Sequence, residues 1–205
     1  MFKKLKKLSH FLMITFLNFL RYGKHAPKYG ELLWVDPKLI EFRMNPSDRV
    51  KHFGSNHVIS GSVVSGEWYN DVKLVSNTLC YRSCYEHWVN GTKWEETERI
   101  KTKMSVIEKK GEIDGCRSLD DIYETVKREG GFRTQEELHG KTRYFNKGEG
   151  EIEIFIGPNG ELIHGTGGNH RLALAKILNL NKIPVKIGVV HSEGITRLIE
   201  LRKQT

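Results

Sequence analysis

An α+β fold built around a small mixed sheet is predicted by three observations. Residues 151–191 (EIEIFIGPNGELIHGTGGNHRLALAKILNLNKIPVKIGVVH) run as strand, turn, strand, Gly-rich loop, helix, strand. Residues 32–35 (LLWV), just before Asp36-Pro37, read as a further core strand. The long stretch between them is mainly helical in pattern, so helices and strands are grouped rather than alternating.

Within the first of these, Ile152, Ile154 and Ile156 alternate with Glu151, Glu153 and Phe155, the period-two pattern of a half-buried strand. Gly157-Pro158-Asn159-Gly160 is dense in turn residues, and Leu162-Ile163 restarts a strand, which predicts a hairpin. Gly165, Gly167 and Gly168 lead into a helix over residues 171–180, broken at residues 179–182. The β-branched run 183–190 (IPVKIGVV) predicts a buried strand.

A Gly-rich loop opening a helix is suited to anions, because glycines allow close backbone approach and the first-turn N–H groups sit at the positive end of the helix dipole. Asn169, His170 and Arg171 occupy that turn. Arg171 has the fork to bind phosphate or carboxylate oxygens, and His170 can donate a hydrogen bond or move a proton. The plain alternative is a tight turn with Asn169 as helix cap and both cations solvated. No Gly-Lys-Ser/Thr follows, so this is not a P-loop, and the third glycine of a dinucleotide fingerprint is missing.

The run Gly167-Gly168-Asn169-His170-Arg171-Leu172-Ala173, with Ala175-Lys176 and then Ile183-Pro184-Val185, resembles the signature of the ParB/sulfiredoxin-like superfamily. The resemblance covers roughly residues 150–191. It implies that Gly167, Gly168, Asn169, His170 and Arg171 cradle nucleotide phosphates, with ATP or ADP, or CTP as a third candidate, bound with Mg2+. Sulfiredoxins carry a reactive cysteine where this chain has Asn169, which argues against reduction of sulfinic acids. ParB partition proteins carry Gly-Glu-Arg-Arg, which argues against a CTP-driven DNA clamp. The Gly-x-His-Arg branch that remains includes small-molecule kinases and proteins described as ParB-like nucleases. Val35-Asp36-Pro37-Lys38-Leu39-Ile40 is similar to the opening of that domain, which would then span residues 31–191 with a mainly helical insertion at about 45–148.

A chain of 205 residues with 38% hydrophobic content supports one domain with appendages or two small ones. Lys and Arg number 33 against 25 Asp and Glu, a net charge of +8 that favours anionic partners, although part of the excess lies in the first 25 residues. Three cysteines fit a reduced, cytoplasmic protein.

Residues 1–8 (MFKKLKKL) are basic, and residues 10–20 (HFLMITFLNFL) are almost wholly apolar. The pattern imitates a signal peptide, but residues 21–25 offer no small-x-small cleavage site, and the run is too short to span a bilayer. Two readings are open for a helix over residues 1–22: an interfacial anchor on an anionic membrane surface, peripheral on its inner face, or a helix packed on the protein's own core.

Between residues 45 and 148, residues 58–66 form two short extended runs, with His57 just before them, and residues 75–89 (VSNTLCYRSCYEHWV) a helix. Thr92 is placed to cap the next helix, with Glu95 at the capping-box position and Trp94, Ile100 and Met104 on an apolar side. A third helix spans residues 119–126, with Ser118 as cap and Gly130-Gly131 as stop. Residues 140–150 read as a polar loop, and residues 192–205 hold one C-terminal helix.

Phosphoryl transfer requires a carboxylate to take the acceptor's proton or hold magnesium. Glu67 and Asp71, flanking Trp68 at a turn, are the candidates, with His170 as the third catalytic candidate. No metal site is expected: Cys80, Cys84 and His87 share a helix face but lack a fourth ligand. Trp68, Trp88 and Trp94 have the rings to stack a nucleobase, but core packing is the favoured reading for each. Two functions follow as expectations: a nucleotide-dependent kinase of a small hydroxyl compound, or a non-enzymatic DNA-binding, partition-like or ParB-like nuclease module. The second is disfavoured, because residues 192–205 have room for one helix and not a recognition pair, and no carboxylate cluster lies near the loop.

Overall fold

The computed structural model describes residues 2–54, 60–102, 106–140 and 150–205. They form eight helices and a seven-stranded mixed sheet, an α+β fold. The strands are β1 (Leu32–Val35), β2 (Phe42–Met44), β3 (Ser62–Val64), β4 (Val72–Leu74), β5 (Ile152–Ile156), β6 (Leu162–His164) and β7 (Ile183–His191). The helices are α1 (Phe2–Tyr22), α2 (Pro46–Phe53), α3 (Leu79–Trp88), α4 (Glu98–Lys101), α5 (Val106–Glu129), α6 (Gln135–His139), α7 (Asn169–Ile177) and α8 (Ile195–Gln204).

The sheet order is β1-β7-β5-β6-β2-β4, with β3 also paired to β7. The hairpin expected at 157–160 joins β5 and β6 antiparallel, Ile156 facing Leu162. β7 runs parallel to β5, the connection that a crossover helix permits, and α7 supplies it. β1 lies antiparallel to the first half of β7 and β3 parallel to its second half.

β5 is buried on both faces rather than half-buried. Ile152, Ile154 and Ile156 join Leu33, Leu172, Leu174, Ile187 and Leu198 in the larger core, against α7 and α8. Phe155 joins Met44, Trp68, Ile163 and Val189 on the opposite face. There Phe53 of α2 and Trp68 meet Phe155 edge-on, at 5.6 and 6.2 Å between ring centroids. Covering the sheet on both faces is what removed the polar side expected from alternation.

The segment 45–148 is more than a helical insertion, since it contributes β3 and β4 to the sheet. The expected helix over 75–89 is divided at Thr78: residues 75–77 form a 3-10 turn, and the Thr78 hydroxyl accepts from Tyr81 N to start α3. Thr92 caps nothing; residues 94–96 are a 3-10 turn, and α4 begins after Thr97. The helix expected over 119–126 belongs to α5, which begins at Val106 and runs through Gly111 and Gly115. Ser118 is therefore not a cap, and its hydroxyl donates to Gly115 O within the helix. α5 stops before Gly130 (φ 71°), where expected. The run 55–59, Met104 and the loop 141–149 lie outside the described residues, as does His57.

α8 is integral to the core: Leu198 and Leu201 are buried, and Arg202 forks onto Glu31 at 2.6 and 2.8 Å and onto the carbonyls of His25 and Ala26. α1 behaves differently. Its Asn18 side chain donates to Gly61 O, yet Leu12, Met13, Phe16, Leu17, Phe19 and Leu20 are each more than half exposed. Of the two readings of this helix, packing on the core does not describe these side chains. No helix of the described residues is long and apolar enough to cross a membrane.

Candidate functional site

The Gly-rich loop joins β6 to α7 and lies against the head of β5. Gly168 is the N-cap of α7, in the left-handed conformation (φ 75°), and a Cβ there would stand 2.7 Å from Ile152 Cγ1. At Gly165 a Cβ would come within 2.8 Å of Glu153 Oε2. Close approach to β5 thus accounts for both glycines. α7 has no side-chain cap, so its first-turn N–H groups, on Asn169, His170 and Arg171, have no helical acceptor. Asn169 stands at the first helical position rather than as a cap, with Oδ1 buried and unpartnered among the described residues.

The two cations of the loop face inward. Arg171 Nη1 donates to Glu151 Oε2 at 2.7 Å and to Gly150 O, Nη2 donates to Arg133 O, and the guanidinium lies 4.7 Å from the Phe132 ring centroid. Glu151 is buried and also accepts from Gln135 N at 2.6 Å. This arrangement ties the turn before α6, the head of β5 and α7 together. His170 is hydrogen-bonded to the thiol of Cys80 on α3. The Cys80 thiol is held below its ordinary range, first by the hydrogen bond from Cys84 and then by His170, against the cost of burial. Cys84 moves up, first because its thiol is hydrogen-bonded to Cys80, then through burial and the charge that a thiolate at Cys80 would place beside it. His164 Nε2 donates to Gly167 O at 2.7 Å, and burial pushes its pKa down to about 4, so the ring is neutral and clamps the loop.

Beneath the loop, on the other face of β5, lies a charged group that no sequence motif marked. Glu153 is buried, with Lys186 of β7 at 3.3 Å and Arg49 of α2 at 3.8 Å. The Arg49 side chain is only 9% exposed, and its Nε has no hydrogen-bond partner among the described residues. A buried guanidinium without a matched acceptor is unusual, since such donors are normally satisfied. The one available signal was the charge of the helix that follows Asn45-Pro46, a start signal for α2.

Glu67 and Asp71 flank a 3-10 turn at residues 68–70. They line a depression of about 370 Å³ with Lys51 and His52 of α2, Val64, Ser65, Gly66, Trp68 and Asn70, and the glycine loop is not part of its wall. Asp71 Oδ2 accepts from Lys51 Nζ at 2.8 Å and from His52 Nε2 at 2.7 Å, which hold its carboxyl below the usual range. The catalytic candidates are thus divided between two places: His170 with the thiols of α3, Glu67 and Asp71 with α2.

Trp68 and Trp94 are core residues, and Trp88 stacks on Tyr123 at 4.8 Å. His87 turns from Cys80 and Cys84 towards Asp120 and Thr92 O. Among the described residues no group of three or more His, Cys, Asp or Glu is arranged to hold a metal ion.

No family model matches the chain, and no curated protein or solved structure matches it.

Proposed function

We propose that this chain binds a nucleotide by its phosphates between the N-terminus of α7 and α2, and serves as a kinase of a small hydroxyl compound. The observation that carries the reading is Arg49. Its guanidinium is buried beside Glu153 and Lys186, its Nε has no hydrogen-bond partner among the described residues, and the loop leading into the uncapped α7 approaches Glu153 at Gly165. Two cations against one carboxylate leave this place one positive charge in excess, the balance that an anion corrects. The resemblance of residues 167–173 to ParB/sulfiredoxin-like loops points the same way. Gly167, Gly168, Asn169, His170 and Arg171 would offer backbone donors and Arg49 a charged fork, while the nucleotide supplies the phosphoryl group. Magnesium would arrive on the phosphates of ATP or ADP.

Calorimetric titration with ATP, ADP and CTP in magnesium tests this. Saturable binding weakened at least about tenfold in Arg49→Met, by loss of charge-assisted hydrogen bonds, is the expected result. Absence of binding to all three, or equal binding by Arg49→Met, would overturn it.

We also propose that α1 holds the protein on the cytoplasmic face of an anionic membrane. Its exposed Phe16, Phe19 and Leu20 supply apolar area, and Lys3, Lys4, Lys6 and Lys7 in the sequence supply charge. Flotation with phosphatidylglycerol vesicles but not phosphatidylcholine vesicles, lost in the double variant Phe16→Glu with Leu20→Glu, is expected. Equal flotation of both forms would remove the anchor.

A further inference from the structure

The depression beside α2 has the parts of an acid–base site. Asp71, held ionised by Lys51, can only accept, so His52 Nε2 donates to it and the ring is fixed by that bond. The other ring nitrogen, Nδ1, has no hydrogen-bond partner among the described residues, and it is an acceptor whenever Nε2 carries the ring's single proton. His52, at 21% side-chain exposure, lines the depression and is reachable from it. Glu67 and Asn70 share the same wall, and neither side chain makes a hydrogen bond or ion pair among the described residues. A depression of this size with two solvent-facing acceptor side chains and an oriented imidazole is suited to a small ligand that donates hydrogen bonds.

Its position relative to the anion place is fixed by α2. Arg49 and His52 are three residues apart on that helix, the spacing that puts two side chains on adjacent turns of one face. Phe53 packs on Trp68 and Phe155, at 5.4 and 5.6 Å between centroids, and seals the protein beneath them. One rigid element therefore carries both the unmatched guanidinium and the imidazole.

We propose that His52, oriented by Asp71, is the general base of this chain, and that the depression holds a small amino alcohol or polyol whose donor groups Glu67 and Asn70 accept. This rests on the phosphoryl-transfer reading above. In the step it implies, His52 Nδ1 takes the proton of the acceptor hydroxyl and becomes an imidazolium balanced by Asp71. The electron pair of that hydroxyl oxygen forms the new O–P bond, and the pair of the broken P–O bond stays on the departing diphosphate. Asp71 is a positioning residue, since it acts through the imidazole.

The test uses the full chain labelled with 15N at histidine, with ethanolamine and glycerol as probes. Either probe should shift the His52 ring resonances saturably, and Glu67→Gln should weaken the effect of ethanolamine. Asp71→Asn should change the 15N shifts from the Nε2–H tautomer towards a mixture, which loss of mere packing would not do. His52→Gln should lower ADP release from ATP with ethanolamine or glycerol by about a hundredfold or more, with calorimetric ATP affinity unchanged. Full turnover by His52→Gln, or ring resonances that neither probe moves, would overturn the proposal while nucleotide binding stood. If the wild type binds no nucleotide, the phosphoryl-transfer reading falls, and the ring shifts then decide separately whether the depression is a substrate site.

Discussion

Glu151 and Glu153 are both buried, stand two residues apart at the head of β5, and have different surroundings. Glu151 is saturated: Arg171 reaches one oxygen at 2.7 Å and Gln135 N the other at 2.6 Å. Glu153 has its cations at 3.3 and 3.8 Å, and the Nε of one of them, Arg49, has no hydrogen-bond partner among the described residues. The first arrangement is closed and holds elements together. The second retains unused donors, which is where a ligand adds energy instead of displacing a partner. Proximity to the glycine loop is common to both, so saturation is what distinguishes the two carboxylates.

The largest test of this contrast is Arg171→Ala. It leaves the Glu151 carboxylate buried without its cation and should cost about 3–5 kcal/mol, read as a lower urea midpoint. A loss below about 1 kcal/mol would mean that Glu151 is not held as a closed pair. Next comes acid. The unfolded His164 takes a proton near pH 6.5, whereas in the folded chain it does so only near pH 4. The unfolded state binds more protons between these values, so stability falls as pH falls through the window, by about 3 kcal/mol in total. His164→Gln should flatten that part of the curve, and an unchanged slope would exclude His164 as its cause. Gly168→Ala should cost about 1–3 kcal/mol through its left-handed backbone and contact with Ile152. The smallest expected effect is Arg49→Met, which keeps the apolar stem and should change stability by less than about 1 kcal/mol while nucleotide binding weakens at least about tenfold. Equal stability losses at Arg49 and Arg171 would erase the distinction between the two glutamates.

Much of the sheet was legible because it is local. Residues 152–164 announce a hairpin by alternation and Gly-Pro-Asn-Gly, and the β-branched run before His191 announces β7. β3 falls within the extended runs expected at 58–66, whereas β2 and β4, of three residues each, are too short for periodicity to register and exist because neighbouring strands need partners. Gly111 and Gly115 hid the first half of α5, since glycine inside a helix reads as a break even where tertiary context carries the helix through it. Of the site, Gly168 and Arg171 stood out in sequence, but the inward direction of Arg171 depended on Glu151, Arg133 and Phe132. Arg49 and His52 carried no signal beyond the charge of their helix, and one basic helix resembles another until burial is known.

The place of β7 in the chain bears on how the protein is made. This strand is hydrogen-bonded to β1, β3 and β5, yet it comes after all three in the sequence, and its pairing with β1 joins residues about 150 positions apart. On the ribosome, the edges of the earlier strands that face β7 would wait unpaired until residues 183–191 emerge. Slow, late closure and a need for holding chaperones are the expected biography of such a chain. A nascent chain stalled before residue 183 should be cleaved by protease throughout, and one stalled beyond residue 191 with its exit cleared should resist.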